Sequence, residues 1–374
     1  MIDFIHFHPT KVIFGFDSLK KLKYELDLFG FEKILLVTGK HSMKKMGITD
    51  KVINMLSPLE VFLYDRIDKD LNSENLQKMI FDLKDLDFDV IIALGGGSVI
   101  DACKSFSILH TNKIDLYQYL SGYKAVQMPI PIIAIPTTCG TSSELTKWAT
   151  IWDLTQKRKF SISDVRLYPK ISIIDPNFFL SLSKLQTVLG AFDALSHAFE
   201  SFWSLNSTPL SEEFASQAID LIMNNIEPVF LDGNDAEGRI KLALGVLYSG
   251  YAFSQTKTGI CHALSYYLTL NHGVRHGQAV GVFLPVFVRS NYPYLKSRYS
   301  VLLNKLKLSN ADTLAARIDD LMLKCDMKTR LGELNVQKED LDHLVSSALT
   351  YDRSKYNPKQ FSQSELKVIL ESML

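Results

Sequence analysis

The segment that decides the fold reads Asp89-Val-Ile-Ile-Ala-Leu-Gly95-Gly96-Gly97-Ser98-Val-Ile-Asp101-Ala-Cys-Lys104. Its run Val90–Leu94 is continuously apolar, which is typical of a strand buried on both faces of a parallel sheet. Three glycines follow, and Ser98–Lys104 then begins a helix. Glycine lets the main chain approach a diphosphate closely, and the N–H groups at a helix start attract an anion. The segment therefore predicts a phosphate-binding turn, although a purely structural turn could have the same composition.

A second apolar run, Ile130–Ile135, leads into another polar turn. The turn reads Thr137-Thr138-Cys139-Gly140-Thr141-Ser142-Ser143-Glu144. Its hydroxyl groups can donate hydrogen bonds to a phosphate, a ribose or a nicotinamide. Turns rich in hydroxyl side chains also occur as ordinary helix caps, so this turn alone leaves both roles open.

The wider chain divides into two patterns. Short apolar runs alternate with helical patterns up to about residue 174, which favours a mostly parallel sheet covered by helices. Asp175-Pro176-Asn177 interrupts this alternation, and helical periodicity follows, as in Ser211–Asn224 and Ala236–Ala252. We therefore predict an α/β domain over residues 1–176 and an all-helical domain over residues 177–374. The predicted strands are Lys33–Val37, Leu59–Tyr64, Val90–Leu94, Ile130–Ile135 and Ile171–Ile174.

Four side chains in the second half suit a divalent metal ion. Asp193 and His197 are four residues apart in a helical pattern, so they share one helix face. His262 and His276 lie further along the chain. One carboxylate and three imidazoles suit Fe²⁺ or Zn²⁺, with a position left for a substrate oxygen. A lone histidine among apolar residues is more often a core residue, so the prediction depends on the whole set.

Bulk properties exclude several classes of partner. Lysine plus arginine equals aspartate plus glutamate at 41 each, which gives no electrostatic case for nucleic acid or anionic membranes. No apolar run reaches the roughly 20 residues needed to span a bilayer, and the start Met1–His6 does not resemble a signal peptide. The four cysteines show no C-x-x-C spacing, so reduced thiols are expected. We expect a cytoplasmic protein with no nucleic-acid or membrane partner.

Taken in order, these motifs resemble the iron-containing (group III) alcohol dehydrogenases. The motifs are Gly95-Gly-Gly-Ser-x-x-Asp101-x-x-Lys104, Pro136-Thr-Thr-x-Gly-Thr-x-Ser-Glu144, Asp193-x-x-x-His197-x-x-Glu200 and His262…His276-Gly277. The resemblance implies a dinucleotide-binding α/β domain, an all-α domain, a metal bound in the cleft between them by the four residues above, and a homodimer. It also implies cofactor contacts from Gly95, Gly96, Gly97, Ser98, Asp101, Thr137, Thr138, Thr141 and Ser142.

Two departures from the family pattern bear on the proton donor and the cofactor. Many members carry a second histidine four residues after the position of His262, where this chain has Tyr266. The proton for the product alcohol is therefore expected from Tyr266, His272 or water. Members that prefer NAD often place an aspartate after the strand Lys33–Val37, whereas this chain continues Thr38-Gly39-Lys40-His41-Ser42. Without that carboxylate the repulsion against a 2′-phosphate is absent, and Lys40, His41 or Ser42, which follow Gly39 at the cofactor, can contact it, which favours NADPH over NADH.

The residues within and around the motifs are similar to those of the phosphonate-metabolism branch of the family. Three segments carry this similarity: Glu144–Asp153, Asp193–Ser211 and Cys261–Thr269. It implies reduction of phosphonoacetaldehyde to 2-hydroxyethylphosphonate, with the metal as Lewis acid and NAD(P)H as hydride donor. The phosphonate would need cationic partners. Those expected beside the motifs are Lys147, Lys257 and Arg275.

Two alternatives remain open at this stage. The nearer one is a general reductase of short neutral aldehydes without selectivity for an anion. The more distant one is a lyase related to dehydroquinate synthase, or a binding protein that has lost catalysis. Dehydroquinate synthases use a different set of metal ligands, and the glycine turn and all four expected ligands are intact here. The sequence therefore favours the oxidoreductase.

Overall fold

A six-stranded sheet organises the first half of the chain in this computed structural model, which describes residues 3–153 and 155–374. Its strands lie in the order β1-β8-β5-β4-β2-β3, and every neighbouring pair is parallel. Strands β6 and β7 form a separate antiparallel hairpin. The predicted fold class is confirmed. The bounds are β1 Lys11–Phe14, β2 Lys33–Gly39, β3 Glu60–Ile67, β4 Val90–Gly95, β5 Ile132–Pro136, β6 Trp148–Asp153, β7 Arg158–Ser163 and β8 Ile171–Ile174.

All five predicted strands are present, and three strands were missed. Strand β4 is buried at all six of its residues, which is why its apolar run is continuous. The missed β1 has four residues and lies at the edge of the sheet, so it buries little and carries a weak signal. The missed hairpin alternates buried and half-buried positions along β6, a pattern that short windows do not separate from a loop.

The order of the strands reverses between β2 and β4. Strand β3 lies on one side of β2, and β4, the next strand in the chain, lies on the other. In open α/β sheets, ligands bind beyond the carboxyl ends of the strands at such a reversal. Strand β2 ends at Gly39 and β4 ends at Gly95, so both predicted cofactor turns begin at this point.

Seven helices accompany the sheet. The helix that follows the glycine turn, α5, is buried along most of its length, and it packs into the core together with the inner faces of β2, β4 and β5. The helices are α1 Leu22–Phe29, α2 Ser42–Lys45, α3 Ile48–Leu56, α4 Ser73–Leu83, α5 Gly97–Asn112, α6 Leu116–Leu120 and α7 Asn177–Leu180.

The rest of the chain is helical, and residues 177–374, all of which are described, contain no strand. Both predicted helical segments fall within α9 and α10. Helix α8 begins with a capping box between Ser183 and Gln186 and is the centre of a single large apolar core. The helices are α8 Lys184–Trp203, α9 Pro209–Leu231, α10 Ala236–Thr256, α11 Ile260–His272, α12 His276–Gly281, α13 Leu284–Asn291, α14 Lys296–Leu306, α15 Ala311–Lys324, α16 Leu341–Thr350 and α17 Gln363–Glu371.

The described residues form two compact units. The sheet unit contains His8–Thr138 and Ser142–Ser181, and the helical unit contains the residues up to Phe7, Cys139–Thr141 and Leu182–Leu374. The division into domains at residue 176 stays a prediction. Among the described helices, none combines the length and the apolar character that a bilayer crossing requires.

Candidate functional site

Helix α8 carries the first part of the candidate site. Asp193, His197 and Glu200 recur at intervals of four and three residues, so their side chains lie on one face of the helix. All three are buried, although burial of ionisable groups is unfavourable unless they are paired or bind a metal. This face is therefore built for a specific set of polar contacts.

Three of the four predicted ligands come together in a group that can hold a metal ion. One ligand atom each from Asp193, His262 and His276 lies within 4.8 Å of the other two. Oδ1 of Asp193 is 3.5 Å from Nε2 of His262 and 3.6 Å from Nε2 of His276. These separations exceed a normal hydrogen bond, and they leave room for an ion between the atoms.

The fourth predicted ligand, His197, lies beside this group. Its Nε2 atom is 3.8 Å from Oδ1 of Asp193. Its ring stacks on Phe253 at 4.1 Å and on His262 at 4.5 Å, measured between ring centroids. Burial lowers the pKa of His197 to about 3, so its imidazole is neutral at physiological pH. A neutral imidazole is the form that binds metals.

The donor atoms of the group fit a bound cation. Among the described residues, neither Oδ1 of Asp193 nor Nε2 of His262 has a hydrogen-bond partner, although both atoms are buried. Burial alone would raise the pKa of Asp193, but the imidazoles of His197, His276 and His262 together hold that pKa well below its ordinary value. Asp193 is thus a carboxylate directed at three nitrogen ligands, a set that suits Fe²⁺ or Zn²⁺.

Glu200 fixes the orientation of His262. Its Oε2 atom is 2.5 Å from Nδ1 of His262. Its Oε1 atom accepts a hydrogen bond of 3.2 Å from the main-chain N–H of His262. Burial would raise the pKa of Glu200, but His262 holds it below its ordinary value, so the glutamate is ionised. With Nδ1 bonded to a carboxylate, Nε2 is left to bind a metal. Glu200 is part of the motif that begins at Asp193, but its role as the partner of His262 was not predicted; its i+7 spacing from Asp193 was the available signal.

Glycines bring the elements of the group into close contact. A Cβ atom at Gly277 would lie 2.0 Å from the main-chain oxygen of Leu189, so α12 can pack against α8 only with glycine at this position. Gly277 directly follows His276, and Leu189 lies one helical turn before Asp193. This contact therefore sets the distance between two of the candidate ligands.

The two predicted proton donors lie in different places. The ring of Tyr266 is buried and stacks on the ring of His276, with centroids 6.2 Å apart and planes within 9°. Burial raises the pKa of its hydroxyl to about 12, so Tyr266 keeps its proton at neutral pH. His272 ends α11, roughly 15 Å along the helix axis from His262, and its Nε2 atom is 3.8 Å from Asp340. The structure brings Tyr266 to the group and does not bring His272 there.

The three predicted substrate cations are also dispersed. Lys257 is exposed, and its Nζ atom donates to the hydroxyl of Tyr356 at 2.9 Å. Arg275 is exposed at the start of α12. Lys147 belongs to the sheet unit, where its Nζ atom lies 5.8 Å from the ring centroid of Trp148. Only Lys257 and Arg275 therefore belong to the helical unit that carries the metal group.

The glycine turn of the sheet unit has little space for side chains. A Cβ atom at Gly95 would lie 2.5 Å from Cγ2 of Val99, and one at Gly96 would lie 3.0 Å from Oγ1 of Thr138. Helix α5 begins at Gly97, and Ser98 donates its hydroxyl to the main-chain oxygen of Lys69 at 2.6 Å. Gly96 and Gly97 are half-buried, and the helix start there offers main-chain N–H groups to an anion, which fits a diphosphate.

The hydroxyl turn is held by a buried ionic cluster. The carboxylate of Asp101 accepts from the hydroxyl of Ser143 and from the main-chain N–H of Thr150, so its hydrogen bonds lie within the protein. Lys104 is fully buried and donates to the main-chain oxygen of Ser143 in this turn and to the hydroxyl of Thr146 just after it, and burial lowers its pKa to about 8. Of the predicted cofactor contacts here, Thr141 is exposed, Thr138 is half-buried, and Thr137 and Ser142 are buried.

The predicted adenosine end lies where β2 meets α2. Gly39 ends β2, and Ser42 is exposed at the start of α2. Lys40 forms an ion pair with Asp68, which follows the end of β3. The sequence analysis expected Lys40 without a carboxylate nearby, because Asp68 is 28 positions further along the chain.

Known proteins match the chain over nearly its whole length. The family described as "Iron-containing alcohol dehydrogenase" matches residues 9–176, and "Fe-containing alcohol dehydrogenase family, C-terminal" matches residues 187–374. The 1,3-propanediol dehydrogenase of Klebsiella pneumoniae is 29% identical and covers 96% of both chains. The sulfoacetaldehyde reductase of Bilophila wadsworthia is 27% identical over 99% of this chain and 98% of its own. The structure of sulfoacetaldehyde reductase from Bifidobacterium kashiwanohense in complex with NAD⁺ has a TM-score of 0.94 at 24% identity, covering 100% of this chain and 99% of its own.

Proposed function

Because this chain belongs to the iron-containing alcohol dehydrogenase family, whose members are NAD(P)-linked oxidoreductases, we propose that it reduces phosphonoacetaldehyde to 2-hydroxyethylphosphonate with NADPH. The observation that carries the proposal is the convergence of Asp193, His262 and His276 beside a buried tyrosine. The phosphonate is supported by the wording of the motifs and by the similarity to sulfoacetaldehyde reductase, which names a two-carbon aldehyde with an anionic group.

In this proposal Asp193, His197, His262 and His276 hold a divalent ion, and Glu200 keeps His262 in the tautomer that binds it. A bound divalent ion supplies Lewis acidity to an aldehyde oxygen, and bound NADPH supplies the hydride. The main-chain N–H groups at the start of α5 hold the diphosphate of the nucleotide. When the nucleotide binds, Lys40 leaves its ion pair with Asp68 and binds the 2′-phosphate of the nucleotide.

Tyr266 supplies the proton that the product alcohol needs. Its hydroxyl is protonated at neutral pH because burial raises its pKa to about 12, and its ring stacks on His276. The alkoxide of the product takes up this proton and becomes the alcohol, and Tyr266 regains a proton from water. His272 has no part in this step.

A second candidate is a general reductase of short neutral aldehydes, and the similarity to 1,3-propanediol dehydrogenase favours it. A steady-state assay separates the two. Fe²⁺-reconstituted protein is given phosphonoacetaldehyde, sulfoacetaldehyde or propanal at equal concentrations, each with NADPH and with NADH. The proposal expects a kcat/KM for phosphonoacetaldehyde at least about tenfold above that for propanal, equivalent to about 1.4 kcal/mol. Equal values for these two aldehydes would assign the general reductase instead.

A further inference from the structure

An arginine far along the chain lies against the tyrosine that stacks on His276. Arg353 belongs to a short 3₁₀ helix, Asp352–Tyr356, between α16 and α17. Its guanidinium carbon lies 5.6 Å from the centroid of the Tyr266 ring, and its Nη1 atom donates to Oγ1 of Thr258 at 2.5 Å. Tyr266 and Thr258 are both buried, whereas Arg353 is half-exposed. The guanidinium therefore lies against two buried residues on one side, and its other side is partly open to solvent.

Tyr266 and Thr258 both connect to the candidate metal centre. Tyr266 stacks on His276, and it lies one turn of α11 after His262. Thr258 precedes Gly259, at which a Cβ atom would lie 3.2 Å from Oε1 of Glu200. Both neutral partners of Arg353 are thus in segments that carry or support the candidate ligands. A two-carbon aldehyde is short, so its anionic group must bind close to the residues around its carbonyl group.

Arg353 makes no ion pair within 4.0 Å among the described residues. The carboxylate next to it in sequence, Asp352, pairs with Lys355 at 2.7 Å. Within the described parts of the chain, no carboxylate lies within 4.0 Å of the Arg353 guanidinium, and one of its five N–H groups is used, on a neutral hydroxyl. The remaining N–H groups present the planar fork that binds a phosphonate or sulfonate through two oxygen atoms.

A second positively charged side chain, that of Lys257, contacts the same short helix. Tyr356 lies three residues after Arg353, and residues at this spacing lie above one another in a 3₁₀ helix. Nζ of Lys257 donates to the hydroxyl of Tyr356 and lies 5.0 Å from its ring centroid. The hydrogen-bond partner of Lys257 is thus neutral, like that of Arg353, and the carboxylate of Asp352 interacts with Lys257 electrostatically. Residue 257 is also adjacent to Thr258, so two positive groups converge on this helix.

We propose that Arg353 is the specificity-determining residue of this enzyme and binds the tetrahedral oxyanion of the substrate, with Lys257 as the weaker second cation. The inference rests on the proposed function for the identity of the substrate. It places this role on Arg353 rather than on Arg275 or Lys147, because Arg353 is the cation that lies against the ring of Tyr266. The side chain acts on the anionic group and leaves the chemistry at the carbonyl group unchanged.

The test compares Arg353→Gln and Arg353→Lys with the wild type and with Arg317→Gln. Arg317 is a matched control, because its guanidinium donates to Asn224 on the surface. Reconstituted enzymes are assayed with phosphonoacetaldehyde, sulfoacetaldehyde and propanal. Arg353→Gln is expected to lower kcat/KM for the two anionic aldehydes about 100-fold, mainly through KM, and to change that for propanal less than about threefold. Arg353→Lys is expected to lie between, and Arg317→Gln to match the wild type.

A binding measurement makes the outcome independent of turnover. Calorimetric titration with methylphosphonate is expected to give a dissociation constant at least about tenfold weaker for Arg353→Gln than for the wild type. If the wild type reduces propanal as well as the anionic aldehydes, the proposed function fails, and this titration still decides the role of Arg353. Equal losses on all three aldehydes, or unchanged methylphosphonate binding, would overturn the inference. If Arg353→Gln does not fold, unchanged selectivity of Arg353→Lys overturns it as well.

Discussion

Nδ1 of His262 lies 2.5 Å from Oε2 of Glu200, and the main-chain N–H of the same histidine donates to the other carboxylate oxygen. One buried glutamate therefore fixes both the ring and the backbone of a candidate ligand. This pair orients Nε2 toward Asp193, where it has no hydrogen-bond partner among the described residues.

Glu200→Gln is expected to lower the affinity for Fe²⁺ or Zn²⁺ by about 10–100-fold, because a neutral amide holds the Nδ1–H tautomer of His262 less firmly than a carboxylate does. The measurement is a competition titration against a chelator of known affinity, followed by metal analysis. Glu213→Gln serves as the control, since Glu213 lies on exposed α9 surface. Identical metal affinities in both variants would contradict the role of Glu200.

Gly277→Ala is expected to separate α12 from α8, because the added Cβ atom would lie 2.0 Å from the main-chain oxygen of Leu189. Overpacking of this kind costs about 1–3 kcal/mol, and here it also displaces His276. Both the thermal midpoint and the metal content should fall. In Gly233→Ala, the new Cβ atom would lie 3.4 Å from Nη2 of Arg239, an ordinary van der Waals distance, so that variant should retain both. A Gly277→Ala protein with full metal content would show that the contact is not needed to position His276.

Tyr266→Phe is expected to lower kcat by about 100-fold at unchanged metal content, since it removes the proposed proton donor and keeps the ring that stacks on His276. His272→Gln is the matched comparison, because His272 lies beside Asp340 at the other end of α11. Its kcat should stay within about twofold of the wild type. If only His272→Gln lowered kcat, His272 would be the proton donor instead of Tyr266.

Asp68→Asn is expected to increase the preference for NADPH over NADH by about tenfold, or about 1.4 kcal/mol. The substitution releases Lys40 from its ion pair and removes a negative charge that repels a 2′-phosphate. The ratio of the two kcat/KM values is the quantity to measure. Asp65→Asn is the control, because Asp65 pairs with Lys44 nearby. An unchanged ratio in Asp68→Asn would place the 2′-phosphate away from Lys40.

Glu144→Gln is expected to stabilise the protein above pH 7 and to have little effect at pH 4.5. Burial raises the pKa of Glu144 from 4.5 to about 7, so the folded state binds more protons than the unfolded state between these pH values. The contribution of Glu144 to the free energy of unfolding therefore falls as the pH rises from 4.5 to 7. The free energy of unfolding of the variant should exceed that of the wild type by about 1–3 kcal/mol at pH 8. Thermal midpoints of both proteins across this pH range provide the check, and parallel curves would contradict it.

The sheet and its glycine turn were predictable, because a strand buried on both faces must be apolar throughout and β4 is such a strand. Strand β1 was not, because a four-residue edge strand buries too little to leave a pattern. The hairpin β6–β7 was missed for a different reason. Its strands are only partly buried, so the contrast between their two faces is low.

The candidate ligands were predictable from residue type and spacing, but their partners were only partly so. Glu200 shares a helix face with Asp193, and spacing alone indicates this. Spacing does not indicate that Glu200 faces His262, since that contact joins two helices. Arg353 gave no signal, because it meets Tyr266 across 87 positions of sequence in an irregular segment. His272 was a candidate because it is only four residues before His276 in the sequence. In the structure His272 ends α11 and His276 begins α12, so the two side chains belong to different helices.

The candidate ligands lie on three helices, α8, α11 and α12, and helices α9 and α10 separate the first from the other two in the chain. During synthesis, the chain cannot hold an ion with Asp193, His262 and His276 together until the last of these residues has left the ribosome. If this group holds an ion, the ion can be bound by all three residues only after most of the protein has been made.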